Sequence, residues 1–536
     1  MKNNLIILAK QYMKRKEWKK AIELFEEHKS LGLQMQNDDI FSFIECLLKA
    51  GLFDKAEKET LKILKNDKEN EKALNQLILI YDYKSLWRKA YEVNKELLII
   101  DSSNPNYHFS MGRVNSYLKY NEAAKKNYIE GLLSTHGMTY NKLIETMQKS
   151  CFPTIENINT HYVFLGGKNN LGAFIHNIDG FKYMTKISKH GNGSKKETTF
   201  YQEVVSQFPQ IKEAIPQFIN SFTINNINYL TIELVETSNQ KSTIDDVIKA
   251  SQILSSVSYE EISNSFPNSN YDLNLKSRAN YITPFFTQIH KKEYNKNLFE
   301  KLKKFCNQKS YQDDIKEIIS YLETLIMNNK LYLYIDPARH YSLLHGDFQP
   351  SNTIYDNKNK KTKIIDWPTY KIGPKFIDIT RYFQASFTSL DDIHSSYLDQ
   401  NKLDLIEKIF FLYAFALFHF LALKKSNMYL TISNFILPAL DEMRKYIIVF
   451  TGEEYLKSDN IFNQILLNIN KVINNEHNIE KKKRLKLQKE NSSLKQEIKK
   501  IKATHTYSDK KLNDVRDNNP QNSKTLFKKL IDKFKK

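Results

Sequence analysis

Residues 343–355 read LLHGDFQPSNTIY, and residues 363–367 read KIIDW. The polar turn at 356–360 separates these two stretches and has a short apolar run on each side. Apolar runs around a polar turn predict a β-hairpin. Such a hairpin would place Asn352, before its first strand, beside Asp366, after its second strand.

An amide and a carboxylate from this hairpin suit a magnesium ion, because Mg²⁺ prefers hard oxygen ligands and keeps several waters. Asp347 precedes Asn352 by five residues, across a loop that contains Pro350. This spacing leaves the Asp347 carboxylate able to orient a hydroxyl group and accept its proton. The sequence therefore predicts three oxygen-bearing side chains at one site.

A lysine and a glutamate upstream form a candidate ion pair. The run 181–187 predicts a strand that carries Lys186, and Glu197 is expected to begin the next helix. Such a pair can hold the ammonium group against phosphate oxygens. Lys182 and Glu203 are competing assignments, and two unrelated surface charges explain the residues as well.

A glycine-rich loop lies between the apolar run 162–165 and the run 173–177, and this pattern predicts a hairpin. Gly166, Gly167 and Gly172 would let backbone amides approach phosphate oxygens without a Cβ in the way. An ordinary glycine-containing hairpin is the competing interpretation.

The HGDxxPxN pattern of 345–352, followed by IDW, resembles the aminoglycoside phosphotransferase and choline kinase family. Gly373 and Asp378 fit the family's glycine and helix-starting aspartate. The resemblance covers about residues 158–450. It implies a two-lobed, protein-kinase-like α+β domain that uses ATP and Mg²⁺, with an N-lobe at about 158–237 and a C-lobe at about 238–450.

The resemblance also implies roles for individual residues. Asp347 would be the catalytic base, with Asn352 and Asp366 as magnesium ligands. Lys186 and Glu197 would anchor the phosphates, and Gly166, Gly167 and Gly172 would cover the nucleotide. Glu233 and Val235 would contact the adenine from the inter-lobe hinge. Structural support of the catalytic loop would come from His345, Trp367 and Asp378.

The first 140 residues repeat with a period of 34 or 35. Small residues at a fixed register allow two helices to approach closely, and here they are four alanines, each followed four residues later by Phe25, Thr60, Asn94 or Tyr128. The pattern resembles tetratricopeptide repeats, which implies an α-solenoid. A protein partner on its concave surface is one interpretation, and a spacer or dimerisation element is the other.

Bulk properties narrow the class of protein. The chain has 536 residues, too many for a single hydrophobic core, which favours a multidomain protein. It contains only 14 Gly and 12 Pro, which favours a mostly α-helical protein. Cys46, Cys151 and Cys306 form no metal-binding spacing, which is typical of a reducing compartment. We expect no signal peptide, and we expect the apolar run 410–423 to be a buried core helix rather than a membrane span.

The net charge of +19 is concentrated at the C-terminus, where residues 471–536 carry 20 Lys and Arg against 8 Asp and Glu. A helical extension with a short coiled coil is predicted at 451–504, a linker at 505–522 and a basic amphipathic helix at 523–536. The coiled-coil heptads predict a homo-oligomer, although a lone solvated helix is also consistent with them. The last helix suits an anionic membrane surface, or it docks back onto the protein; no nucleic acid is expected.

These features favour a cytoplasmic kinase on the inner face of the membrane. It would phosphorylate a hydroxyl of a small molecule or of a cell-envelope glycan or lipid-linked precursor, for example in surface polysaccharide biosynthesis. A soluble choline, ethanolamine, sugar or aminoglycoside kinase is the alternative enzyme. The acidic pairs at 245–246 and 260–261 would attract a cationic acceptor, or they are solvated helix faces. A pseudokinase scaffold is the third hypothesis.

Overall fold

The computed structural model describes residues 4–165, 170–236, 241–265, 288–309, 311–424, 426–452 and 460–474. Two compact units make up the chain. The first contains Met1–Tyr294 and Tyr332–Glu407, and the second contains Asn295–Leu331 and Lys408–Lys536. The predicted fold class is confirmed: helical repeats precede a kinase-like α+β region with an antiparallel sheet.

The repeats are four antiparallel helix pairs, and a ninth helix follows them within the described residues. They are α1 (Asn4–Lys14), α2 (Trp18–Ser30), α3 (Asn37–Lys49), α4 (Phe53–Asn66), α5 (Glu71–Lys84), α6 (Trp87–Ile100), α7 (Pro105–Tyr117), α8 (Asn121–His136) and α9 (Tyr140–Cys151). The repeating alanines are completely buried between helices, as the repeat pattern predicts; they are Ala21, Ala56, Ala90 and Ala124.

Two polar residues occupy positions where this repeat normally has a large apolar side chain. Thr60 and Asn94 are nevertheless fully buried. The Thr60 hydroxyl donates a hydrogen bond to the Ala56 carbonyl at 2.8 Å, and the Asn94 amide donates to the Ala90 carbonyl at 2.7 Å. Because each donor is satisfied within its own helix, the polar side chains are tolerated in the groove.

A five-stranded antiparallel sheet follows, with strand order β1-β2-β3-β5-β4. Its strands are β1 (Asn159–Val163), β2 (Asn170–Ile178), β3 (Phe181–Lys189), β4 (Phe218–Ile224) and β5 (Ile227–Glu233). Lys186 pairs with Ala173 on β2 and with Leu230 on β5. It therefore lies on the central strand of the sheet.

The last repeat helices and the sheet share one hydrophobic core. It contains Phe109, Ala124, Tyr128, Leu132, Leu143, Met147, Tyr162, Leu171, Phe174, Ile187, Ile227 and Tyr229. Polar contacts join the same elements: His136 Nε2 lies 2.7 Å from the Tyr229 hydroxyl, and Lys189 Nζ donates to Asn106 Oδ1 at 3.0 Å. The repeats and the sheet are therefore parts of one packed body within the first unit.

The helix that carries Glu197 begins earlier than the sequence pattern predicts. It is α10 (Asn192–Thr199), and Glu197 lies in its second turn rather than at its start. The Gly191 backbone N–H donates to the Ser194 hydroxyl at 3.1 Å, which caps the helix. The glycines at 191 and 193 are typical of a loop, so the sequence pattern does not indicate that a helix starts here. A short π-helix, the π-turn of this chain (Phe200–Val204), and α11 (Val205–Gln207) continue the segment.

The rest of the chain adds two small sheets and ten helices in the described residues. The paired strands are β6 (Tyr341–Leu344) with β9 (Lys371–Pro374), and β7 (Thr353–Asp356) with β8 (Lys361–Ile364). The helices are α12 (Ile244–Ser255), α13 (Tyr259–Ser265), α14 (Lys292–Gln308), α15 (Asp313–Asn328), α16 (Pro337–His340), α17 (Ile377–Ser386), α18 (Leu390–Ile393), α19 (Leu405–Leu421), α20 (Met428–Thr431) and α21 (Leu437–Thr451).

The most apolar helix is α19, and it is a core element as predicted. Every residue from Ile409 to Phe420 is at most 1% exposed. Among the residues that the structure describes, no helix is long and apolar enough to cross a membrane.

Three predicted C-terminal features lie outside the described residues. They are most of the coiled-coil extension at 451–504, of which only 460–474 is described as helical, the linker at 505–522 and the amphipathic helix at 523–536.

Candidate active site

The loop after β6 is held by one buried carboxylate. Asp378, in the first turn of α17, accepts the backbone N–H of His345 at 2.6 Å and that of Gly346 at 3.0 Å. Asp378 is only 2% exposed, and this burial raises its pKa, although the two N–H groups oppose that effect. These hydrogen bonds fix the backbone directly before Asp347.

His345 supports the same loop through both ring nitrogens. Its Nε2 donates to the Ile365 carbonyl at 3.0 Å, and its Nδ1 accepts the backbone N–H of Asp347 at 3.2 Å. The ring is fully buried and packs edge-on against Trp367 at a centroid distance of 4.6 Å. His345 is therefore placed to hold backbone rather than to exchange protons.

Asn352 and Asp366 lie at neighbouring ends of the β7–β8 hairpin. The Ile365 N–H donates to the Asn352 carbonyl at 3.0 Å, so Asp366 directly follows a residue bonded to Asn352. The Asn352 side-chain N–H₂ donates to the Asp347 carbonyl at 2.8 Å and faces the Asp347 carboxylate at 3.5 Å. This orientation turns the Asn352 side-chain oxygen away from Asp347, and that oxygen accepts a hydrogen bond from the Ser351 hydroxyl at 3.4 Å. An amide oxygen has two lone pairs, so one is left for a further ligand.

Lys186 joins the sheet to this hairpin. Its Nζ donates to both carboxylate oxygens of Glu197, at 3.0 and 2.9 Å, and to Asp366 Oδ1 at 2.7 Å. Burial acts to lower the pKa of Lys186, but the two carboxylates outweigh it and raise the pKa. Burial acts to raise the pKa of Asp366, yet the Lys186 ammonium holds it below its ordinary value.

The competing assignments lie elsewhere. Lys182 is on the same strand, but its ammonium pairs with Glu236 at 2.8 Å on the exposed surface. Glu203 is an exposed residue of the π-turn. Of the two lysines and two glutamates considered from sequence, the structure brings Lys186 and Glu197 together.

Trp367 packs under the site rather than lining it. Its ring is fully buried and stacks on Phe200 with centroids 3.9 Å apart and planes 6° apart. The indole N–H donates to the Ile364 carbonyl at 3.0 Å. The stack connects the hairpin that carries Asp366 to the segment that follows α10.

The glycine-rich loop is only partly described. Gly166 and Gly167 lie outside the described residues. Gly172 is in β2 with φ +104°, and a Cβ there would lie 2.1 Å from the Tyr162 hydroxyl. Close packing against Tyr162 therefore accounts for this glycine, whereas its predicted role over the nucleotide is a separate proposal.

The two hinge candidates differ in their backbone contacts. The Glu233 N–H donates to the Gln217 carbonyl at 2.8 Å and is already used. Val235 is buried, and within the described residues its backbone N–H and carbonyl have no hydrogen-bond partner. Val235 is therefore the better placed of the two to offer backbone groups to a base.

Three residues around Asp347 were not identified from sequence. Gln349 Nε2 donates to Asp347 Oδ2 at 3.2 Å, and Arg381 Nη2 donates to Gln349 Oε1 at 3.3 Å. Lys371, on β9, lies under the loop with its Nζ buried and without a hydrogen-bond partner among the described residues. Gln349 is inside the quoted motif, and Lys371 breaks an otherwise apolar run; both were available signals.

Lys371 yields a prediction about stability and pH. Burial lowers its pKa to about 7, with the Asp378 carboxylate opposing, whereas an unfolded lysine has a pKa of about 10.4. Between these values the unfolded chain binds more protons, so wild-type stability rises with pH across this window. Lys371→Met is expected to raise the unfolding free energy at pH 7 by on the order of a few kcal/mol and to remove this rise.

Denaturant unfolding of both proteins at several values between pH 7 and 10 measures the difference. Subtracting the two curves isolates Lys371 from other buried lysines. Parallel curves with equal stabilities would contradict the prediction.

The acidic pairs at 245–246 and 260–261, which the sequence offered as sites for a cationic acceptor, lie at the starts of helices and cap them. Asp246 accepts the Thr243 hydroxyl at 2.7 Å in a capping box at the start of α12. Glu261 accepts the Ser258 N–H at 2.7 Å before α13. Their partners Asp245 and Glu260 are in the first turns of the same helices, where acidic residues favour the helix dipole.

A family described as "Uncharacterized oxidoreductase dhs-27", DUF1679, matches residues 173–441, which is half of the chain. The chain belongs to this family. The DUF1679 match runs from β2 into α21 and includes Lys186, Asp347 and Asp366. The word oxidoreductase is part of the family's description and is not a property observed in this chain. A comparison with curated proteins gave no match.

Solved structures resemble two parts of this DUF1679 member. An aminoglycoside-3'-phosphotransferase of type VIII is 10% identical over 52% of this chain and 98% of its own, with a TM-score of 0.31. A spectinomycin phosphotransferase, solved with ADP and spectinomycin, is 14% identical over 61% and 98%, with a TM-score of 0.32. A tetratricopeptide repeat protein from Thermus thermophilus is 17% identical over 25% and 73%, with a TM-score of 0.21.

These likenesses agree with the two families that the sequence resembles.

Proposed function

We propose that the protein is an ATP- and magnesium-dependent phosphotransferase that phosphorylates an alcohol. The observation that carries the proposal is the partly buried ammonium of Lys186, bonded to both Glu197 and Asp366. A lysine held this way beside two oxygen-bearing residues, Asn352 and Asp347, is suited to a nucleotide's phosphate chain.

The side chains of Asn352 and Asp366 offer the kind of oxygen donors that a magnesium ion prefers. The amide nitrogen of Asn352 is bonded to the Asp347 backbone, and its side-chain oxygen accepts only a long hydrogen bond from the Ser351 hydroxyl at 3.4 Å, so a lone pair remains for a metal ion. Asp366 uses Oδ1 for Lys186, and its Oδ2 completes a pair of hard oxygen donors. A bound Mg²⁺ would neutralise charge on the phosphate oxygens.

The chain's own residues account for the other steps. Lys186 would hold the phosphate chain, and Asp347 would orient the acceptor hydroxyl and take its proton. The hydroxyl oxygen forms a bond to the γ-phosphorus while the bond from that phosphorus to the bridging oxygen of ADP breaks. The products are a phosphomonoester and ADP, with the proton on Asp347. Asp378 and His345 keep Asp347 in place through the backbone bonds described above.

Nucleotide binding tests the proposal directly. We expect the purified protein to bind Mg·ATP in calorimetric titration, and Lys186→Met to weaken binding about 10- to 100-fold, because a charge-assisted hydrogen bond contributes about 1.5–3 kcal/mol. The loss follows from removing the ammonium that faces the phosphates, and circular dichroism checks that the variant is folded.

Lys182→Met is the matched control. It removes an ammonium group from the same strand, but one that pairs with Glu236 at the surface, and we expect it to bind Mg·ATP like the wild type. If both variants weaken Mg·ATP binding equally, the total positive charge of the strand, rather than the position of Lys186, controls binding. A wild-type protein that binds no Mg·ATP would refute the proposed function and favour a scaffold.

The cellular setting remains a proposal based on the sequence pattern. The sequence of 523–536, which predicts a basic amphipathic helix, would place the enzyme on an anionic membrane surface, where a cell-envelope glycan or lipid-linked precursor would be the acceptor. Deleting residues 523–536 and comparing membrane and supernatant fractions by immunoblot tests this placement.

A further inference from the structure

Arg381 brings a positive charge close to the catalytic loop. It lies on α17, one helical turn after Asp378, and is partly buried. Its Nη2 donates to Gln349 Oε1 at 3.3 Å, and its Nη1 donates to the side-chain oxygen of Gln384. Both partners are neutral amides.

Gln349 separates this guanidinium from the carboxylate of Asp347. Its amide nitrogen donates to Asp347 Oδ2 at 3.2 Å, while its amide oxygen accepts from Arg381. In the part of the chain that the structure describes, no carboxylate forms a salt bridge with Arg381. The guanidinium is attracted by the charge of Asp347 but forms no direct ion pair with it, because Gln349 lies between them.

An arginine in this state is suited to an oxyanion, because its planar set of donors matches a carboxylate or a phosphate in a bidentate way. Burial lowers the pKa of Arg381, with Asp347 opposing, but a guanidinium stays protonated in proteins. Its positive charge therefore persists where an acceptor hydroxyl has to approach Asp347.

We propose that Arg381 binds an anionic group of the acceptor, so that the substrate is an alcohol that also carries a carboxylate or a phosphate. This inference rests on the proposed phosphotransferase function and names its substrate class. Asp246 and Glu261, which would have favoured a cationic acceptor, are committed to capping helices. Arg381 is a specificity-determining residue in this assignment, and Gln349 positions it.

Charge-resolved cell extracts test the substrate class even though the acceptor is unidentified. Small molecules from cells that naturally express the protein are separated by ion exchange into cationic, uncharged and anionic fractions. Each is incubated with the enzyme and ATP labelled at the γ-phosphate, with Asp347→Asn as the background. We expect label transfer in the anionic fraction only, and pretreating that fraction with alkaline phosphatase distinguishes a phosphate from a carboxylate.

Transfer in the uncharged or cationic fraction would overturn the anionic-acceptor proposal while leaving the phosphotransferase proposal intact. The absence of transfer in every fraction by a protein that binds Mg·ATP would overturn the anionic-acceptor proposal and would also count against phosphorylation of an alcohol. No binding of Mg·ATP is a separate result, and it refutes the proposed function as a whole.

Kinetics with the active fraction test Arg381 itself. Arg381→Gln is expected to raise KM for the acceptor about 10- to 100-fold with little change in kcat, as for the loss of a charge-assisted contact. Arg381→Lys should restore part of the affinity, and Arg339→Gln, which removes an exposed arginine on α16, should match the wild type. A fall in kcat at unchanged KM would mean that Arg381 only orients Asp347, and it would overturn the assignment.

Discussion

Asp347→Asn is expected to lower kcat about 10²- to 10⁴-fold, the usual contribution of a positioned general base. The substitution keeps the size of the side chain and can keep its contacts with Gln349 and Asn352. It removes the negative charge and, with it, the ability to accept a proton. Initial rates of phosphate transfer from Mg·ATP, together with calorimetric nucleotide affinity, measure the effect, and we expect the affinity to stay close to that of the wild type.

Asp245→Asn provides the matched control for Asp347→Asn. It makes the same chemical change at an exposed residue of α12 and should leave kcat unchanged. Equal transfer rates in wild type and Asp347→Asn would remove Asp347 from the reaction. If neither protein binds Mg·ATP, the chain is a scaffold with a kinase-like fold.

Gly346→Ala is expected to have the second largest effect, through the backbone. Gly346 has φ +84°, and a Cβ there would lie 2.2 Å from the Thr369 carbonyl oxygen and 2.6 Å from Lys371 Cε. Because the first of these atoms is backbone, the loop has to move and carry Asp347 with it. A displacement of about 1 Å can lower a rate about 10²-fold, and strain with overpacking lowers the unfolding free energy by on the order of 2–5 kcal/mol.

Gly180→Ala separates the clash from the unfavourable dihedral angle. Gly180 has nearly the same φ, +83°, but nothing lies within 4 Å of its hypothetical Cβ. It should lose only about 1–2 kcal/mol and keep full activity. Denaturant unfolding and initial rates of both variants give the comparison. Similar losses of stability and activity in the two variants would show that the positive φ, and not the clash, accounts for the effect of Gly346→Ala.

The local parts of the candidate site could be predicted because they are close in sequence. Asp347 and Asn352 are linked by one short loop, and the β7–β8 hairpin brings Asp366 beside them, as expected from the polar turn. The repeats were equally accessible, since four alanines share one register. What the pattern did not explain was how Thr60 and Asn94 fit in the groove; the answer is a bond to each helix's own carbonyl.

The remaining features depend on contacts between distant segments. Lys186 and Asp366 are 180 residues apart, so their ion pair follows from the fold and not from spacing. Arg381 belongs to no recognised motif, and its importance comes from the neutral side chains around it. Likewise, the start of α10 was misplaced because two glycines concealed a serine cap.

The core shared by the repeat helices and the sheet limits how this protein can have evolved. Separating the repeats from the sheet would expose an aromatic surface on each, including Phe109 on one side and Phe174 on the other. Replacing the repeats with those of another protein would therefore also require changes in the strand that bears Ile187.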